Sequence, residues 1–200
     1  MAPPSPPPRT LVVTTASWDA SQGSAALYDR GQRVWGPTPI FVGSSGMAWD
    51  PAATGLRGDR PGPVKREGDG RAPAGIFVIG ATWERKGSRG AFCVDDPAST
   101  HYNRIVRVGP KAPKTWRSAE RMTMYEHAVV VEYNRARTPG AGSCIFVHAS
   151  TRATAGCTGV PRAPLAKLLP LLAPGTLMIQ LPVREWKRLR WMSLLLGAAS

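Results

Sequence analysis

Short runs of Val, Ile, Leu and Phe, each a few residues long, recur along this chain with Gly- and Pro-rich breaks between them. Runs of that length and composition predict β-strands. The candidates are 9–15, then 25–28 and 34–35 as a hairpin around Asp29-Arg30-Gly31-Gln32, and a run ending in Ile40-Phe41-Val42. Further strands are expected at 76–79, 105–108, 128–133, 144–147 and 177–181. One helix is expected, because Leu165, Leu168, Leu169 and Leu172 fall at i, i+3, i+4 and i+7 and share a face. Pro170 interrupts that pattern and shortens or breaks the helix. The polar, Gly/Pro-rich stretch 43–71 reads as a long binding or lid loop. Elements in this order predict a mainly β fold, a sandwich or barrel with a few short helices. The chain divides into a flexible Pro-rich tail at 1–9, one domain at 10–182 and a basic amphipathic segment at 183–200. In that last segment Trp186, Leu189 and Met192 fall on one side and are expected to dock onto the domain.

Two hundred residues suffice for one domain with its own core. No apolar stretch is long enough to span a membrane, and residues 1–8 lack the basic and apolar regions of a signal peptide. The net charge of +13 favours polyanionic partners, such as acidic wall polymers, anionic lipid or nucleic acid. Its basic residues are scattered outside 184–190, however, and no nucleic-acid-binding motif accompanies them, so nucleic acid is not an expected partner. His101 and His127 have no companion at metal-ligand spacing and read as surface or structural residues. Asp95 and Asp96 before Pro97 read as a turn. No metal or cofactor is expected.

Candidate chemistry centres on Cys157, in the small-residue run Thr154-Ala155-Gly156-Cys157-Thr158-Gly159. His148 closes the apolar run Cys144-Ile145-Phe146-Val147 just before it. A thiol on a tight turn, with an imidazole delivered by the preceding strand, suits acyl transfer. The thiolate attacks a carbonyl, and the imidazole takes and returns protons. Either residue alone is more commonly part of a core, and the pair is also compatible with half of a metal site.

The segment Gly142-Ser143-Cys144-Ile145-Phe146-Val147-His148, with Thr154-Ala155-Gly156-Cys157-Thr158, resembles the active-site region of the L,D-transpeptidase catalytic domain family (YkuD-type). Upstream, Gly68-Asp69-Gly70-Arg71-Ala72-Pro73-Ala74-Gly75 resembles that family's Gly-Asp-Gly signature before a strand. Cys93-Val94-Asp95-Asp96-Pro97 with Tyr102-Asn103 resembles a region of one bacterial branch. The likeness runs from about Leu11 to Leu181, so that 10–182 reads as a catalytic domain.

The resemblance implies a bacterial enzyme of peptidoglycan biosynthesis, cell-wall organisation and cell shape. In it Cys157 is the nucleophile and His148 the general base, with oxyanion donors at the backbone of Ala155, Gly156 and Cys157. The product is a 3→3 cross-link between peptidoglycan stem peptides, formed through a Cys157 thioester. The alternatives are an L,D-carboxypeptidase using the same site and a non-catalytic wall-binding homologue. Arg152, Thr154, Tyr102 and Asn103 are candidate substrate contacts, although Tyr102 and Asn103 suit a turn or packing role equally well. A monomer in the periplasm or cell envelope is expected. Two positions depart from the family pattern: Ala155 replaces a histidine, and Gly159 replaces an arginine for which Arg152 or Arg162 can substitute. With Cys157 as nucleophile, Cys93 and Cys144 are candidates for a disulfide, the alternative being two buried free thiols.

Overall fold

The computed structural model describes residues 9–189. Twelve strands form its framework: β1 (Thr10–Thr15), β2 (Gln22–Asp29), β3 (Gln32–Phe41), β4 (Met47–Trp49), β5 (Ala72–Glu84) and β6 (Ala91–Val94). They continue with β7 (Arg104–Arg107), β8 (Glu120–Arg121), β9 (His127–Val131), β10 (Phe146–Ala149), β11 (Thr158–Val160) and β12 (Leu177–Pro182). Three short helices join them: α1 (Thr54–Arg57), α2 (Arg162–Leu168) and α3 (Val183–Arg188).

The main sheet runs β12-β1-β2-β3-β11-β10-β9-β5-β4, and β12 also pairs with β5. That second pairing closes the sheet into a barrel-like ring and leaves β4 appended to β5. The fold is therefore mainly β, of the barrel type. Its main core cluster holds Leu11, Val13, Leu27, Ile40, Val147, Ile179 and Leu181, all essentially inaccessible to solvent. Buried polar side chains are paired within it. Gln180 accepts the Thr158 hydroxyl (2.6 Å) and donates to the Pro73 carbonyl (2.7 Å), so a buried amide has its partners and links three strands.

A separate three-stranded sheet, β7-β6-β8, is inserted between β5 and β9. It covers the outer face of β9 and β10 and encloses a second apolar cluster of Ala91, Cys93, Met122, Ala128, Cys144, Phe146 and Cys157. Strands β9 and β10 are thus buried on both faces, which explains why their sequences are continuous apolar runs rather than alternating ones. The Cys93–Cys144 disulfide (Cα–Cα 5.9 Å) ties the insert to the barrel, resolving the two options the sequence left open.

Several expectations need correction. The stretch 43–71 is no simple lid loop. It contains β4 and α1 and sends Met47 and Trp49 into the core, at 0% exposure. Strand β5 is far longer than 76–79, while β6 and β8 went unrecognised because they are short and lie in a polar context. Strand β10 begins later than expected, and His148 lies within it rather than at its end. Helix α2 stops at Leu168, and Leu169–Leu171 form a 3-10 turn around Pro170. Arg9, assigned to the tail, is tied down by Asp29 (2.6 Å) and the Leu171 carbonyl (2.8 Å). Residues 1–8 of that tail and 190–200 of the basic segment, including Met192, lie outside the described residues. Trp186 and Leu189 pack against the barrel core.

Candidate active site

Side-chain alternation decides which residues of β10 can meet a ligand. Ile145 and Val147 point into the barrel, whereas Cys144, Phe146 and His148 share the outer face. Strand β11 lies parallel to β10 with Val147 opposite Thr158 and His148 opposite Gly159. Cys157, just before β11, is on the same outer face beside Phe146, whose N–H donates to its sulfur (3.3 Å). Cys157 and His148 are therefore diagonal neighbours on adjacent strands, about 8 Å apart at Cα from strand spacing and rise, within side-chain reach. Both line one groove of about 690 Å³.

The residues flanking His148 are Ala128 on β9 and Gly159 on β11, so neither neighbouring strand crowds the imidazole. His148 Nδ1–H donates to the Ala149 carbonyl (3.0 Å). A carbonyl only accepts, so Nδ1 carries the proton, and in the neutral ring Nε2 keeps a lone pair. Burial lowers the His148 pKa from 6.5 and favours that neutral ring, with the Ala149 bond opposing weakly. The orienting group is thus a backbone carbonyl; the Ser150 hydroxyl instead closes its own turn onto Arg152.

Cys157 lies deeper than a nucleophile at the groove mouth: it forms part of the floor and is 7% exposed. Its thiol donates to the Cys144 carbonyl (3.4 Å), not to His148. Desolvation pushes its pKa from 9.0 up to about 12; Glu120 adds to the rise, while the Phe146 N–H and Lys65 oppose it. The resting pair is a neutral thiol beside a neutral imidazole, not an ion pair.

The turn before Cys157 is stapled by Thr154. Its hydroxyl donates to the Cys157 carbonyl (2.7 Å) and accepts the Gly156 N–H (3.2 Å). Backbone bonds from Thr154 to Val42 and from Ser44 to Thr154 anchor it to the end of β3. Two expectations change here. Thr154 lines the groove, but its hydroxyl is already engaged, and the Gly156 amide belongs to the turn rather than to an oxyanion. Ala155 is on the exposed rim. Arg152 also lines the groove, exposed, together with Arg85 and Arg162; the last is paired with Glu126.

Tyr102 and Asn103 are not in this groove. The Tyr102 hydroxyl donates to Glu67 (2.5 Å) and accepts the Gly142 N–H (3.0 Å). Asn103 accepts the Cys144 N–H (3.0 Å) and donates to the Tyr133 carbonyl (2.8 Å). Both hold the loop that leads into β10, which is the packing role rather than substrate contact. The Gly-Asp-Gly segment serves the same loop. Glu67 also accepts the Ser143 hydroxyl (2.7 Å), and the buried Lys65 ammonium pairs with Asp69 (2.7 Å).

Sequence reasoning missed Glu120 and Tyr125, which line the same groove as Cys157 and His148. The Tyr125 hydroxyl donates to Glu120 (2.7 Å), and its ring is 5.0 Å from the His148 ring. Only the position of Tyr125, just before the strand that pairs with β10, hinted at this. His127, read as structural or surface, also lines the groove.

No protein-family model and no curated protein matches this sequence. Solved structures that it resembles include L,D-transpeptidases. One is the L,D-transpeptidase (Yku) from Stackebrandtia nassauensis, at 12% identity and TM-score 0.43, over 86% of this chain and 55% of that one. Another, from Mycobacterium smegmatis, is 15% identical with TM-score 0.41, over 87% of this chain and 58% of the other. L,D-transpeptidase 3 from Mycobacterium tuberculosis is 13% identical with TM-score 0.42, over 87% and 61%. This chain thus spans less than two thirds of the length of each.

Proposed function

We propose that the protein is a cysteine acyl-transferase of the cell envelope that cross-links peptidoglycan stem peptides, an L,D-transpeptidase acting through a Cys157 thioester. The observation that carries this reading is the Cys157–His148 pair on one face of adjacent strands, with Nδ1 held by Ala149 and Nε2 left as the base. In the first step substrate enters the groove and Cys157 Sγ–H leaves the Cys144 carbonyl for His148 Nε2. The sulfur then attacks the carbonyl between the L-centre of the diamino acid and the terminal D-alanine. His148 returns the proton to the departing D-alanine nitrogen as the C–N bond breaks, and a thioester remains. The amine of a second stem, deprotonated by His148, attacks the thioester and restores the thiol. Water as acceptor gives L,D-carboxypeptidase activity from the same intermediate.

General-base catalysis suits a buried neutral pair, because a thiol with a pKa of about 12 holds only roughly one part in 10⁵ of thiolate at neutral pH. The Ala155 and Cys157 amides are the oxyanion donors in this mechanism, each contributing roughly 3 kcal/mol when aligned. Arg152 on the rim offers charge to a stem-peptide carboxylate, whereas Arg162 is already paired with Glu126.

The enclosure of Cys157 favours one other reading, a wall-binding homologue without catalysis. Carbapenem labelling separates the two. The enzyme is acylated selectively at Cys157, and His148→Gln slows the reaction about 10²-fold or more. Labelling no faster than in the urea-unfolded chain rejects catalysis.

A further inference from the structure

The insert sheet reaches His148 through an unbroken series of contacts. Cys144, on the face of the chain that carries Phe146 and His148, is disulfide-bonded to Cys93 on β6. Cys93 is the register partner of Glu120 on β8. Glu120 accepts the Tyr125 hydroxyl (2.7 Å), and the Tyr125 ring packs on Phe146 (5.4 Å between centroids) and on His148 (5.0 Å). The path begins and ends on that one face, so the position of the Tyr125 ring relative to the imidazole is fixed from both sides.

The imidazole has only the small residues Ala128 and Gly159 as its register partners, and one bond to Ala149 fixes one nitrogen without by itself fixing the tilt of the ring. The Tyr125 ring is what bears on the rest of it. Tyr125 is held in turn by the Glu120 hydrogen bond, made in a half-buried setting where such a bond is stronger than in open water.

We propose that Glu120 and Tyr125 form a brace that positions the catalytic base: the Tyr125 ring holds His148 with Nδ1–H on Ala149 and Nε2 toward Cys157, and Glu120 acts only through the Tyr125 hydroxyl. Both are positioning residues. The proposal rests on the acyl-transfer reading of the site and adds to it two groups that the sequence motifs do not contain.

The competing account has Glu120 acting directly on the thiol by its charge. The Glu120 carboxylate bears electrostatically on the Tyr125 hydroxyl and the Cys157 thiol and is itself influenced by Asp95 and Glu67, while the Lys65 charge acts on the thiol in the opposite sense. The two accounts differ in sign. Removing a negative charge beside a thiol makes it more acidic and more reactive, whereas losing the brace slows base catalysis.

The test is the pH-dependent rate of carbapenem acylation in Tyr125→Phe, Glu120→Leu and Glu120→Gln, with the ¹⁵N spectrum of the histidines read alongside. Tyr125→Phe and Glu120→Leu are expected to slow acylation roughly tenfold at neutral pH, the scale of a small misplacement of a reacting group. Glu120→Gln, which still accepts the tyrosine hydroxyl, recovers most of the loss. The wild-type spectrum shows His148 as the Nδ1–H tautomer, and Tyr125→Phe shows a mixture. Should Glu120→Leu misfold, as judged by thermal melting, the conservative Tyr125→Phe variant decides. An unchanged rate and tautomer in Tyr125→Phe overturns the brace. Faster acylation in both Glu120 variants assigns Glu120 to the direct effect and equally overturns it. If wild type is not acylated at all, the acyl-transfer reading fails, and the tautomer comparison alone decides the brace.

Discussion

His148 is neutral because burial disfavours the imidazolium, and its lowered pKa has two consequences with one sign. On the proposed acyl-transfer reading, His148 protonates only below pH 6.5, so the acid limb of the carbapenem acylation rate is expected to fall below that value rather than at it. The unfolded chain takes up the proton first. The contribution of His148 to stability is therefore present above pH 6.5 and is lost as pH falls through the folded pKa. Cys157 behaves oppositely, its raised pKa giving stability that is present below pH 9.0 and lost as pH rises toward about 12. An acid limb centred at or above pH 6.5 contradicts the proposal that a half-buried, neutral His148 is the base. Gly159 bears on the same site in a different way. A Cβ built there meets the Ser150 Cβ at 2.5 Å, so the position has no room for the arginine that the family pattern carries. Restoring it by Gly159→Arg is expected to destabilise the protein by about 1–3 kcal/mol and to leave acylation no faster, as melting curves and rates will report. A variant as stable as the parent shows that the β10–β11 seam is looser than its packing.

At the scale of elements, the three-stranded insert matters most, because β8 and the turn after it form one wall of the groove. Few apolar side chains hold so small a sheet to the barrel, and the Cys93–Cys144 disulfide supplements them across a separation of 51 residues. Closing a loop of that length stabilises the fold by about 4 kcal/mol on the chain-entropy account. Replacing both cysteines with alanine is expected to lower the urea midpoint accordingly. Amide exchange in 91–124 is then expected to accelerate ahead of the barrel strands. Uniform acceleration across the chain speaks against the insert as a separately tethered layer. The sequence exposed the strongest elements, namely β1, β9, β12 and the leucine face of α2, since each has a core-facing pattern several residues long. It concealed β4, β6 and β8, whose two to four residues carry too little periodicity to register.

The whole molecule is a closed barrel with a polar-rimmed groove on its outer face, and its +13 charge sets the field in which a substrate arrives. Arg85, Arg152 and Arg162 around the groove bring part of that charge to the site. Legibility differed between chemistry and placement. Cys157 and His148 were visible because a small-residue turn after an apolar strand is a local pattern. Tyr102 and Asn103 were left between two roles because a polar residue on a loop looks the same whether it binds substrate or holds the Cys144 backbone. Glu120 and Tyr125 were invisible, since what joins them to His148 is a disulfide and a strand register rather than proximity in the chain. The sequence by itself determined the mainly β character and singled out Cys157 and His148 as a candidate pair with the turn between them, a pattern written within a few neighbouring residues. Only the tertiary structure decided how deep the thiol lies, which amide is already bonded, and what presses on the imidazole. Burial and contact between segments far apart in the chain are set by closure of the ring and docking of the insert, and no local pattern encodes either.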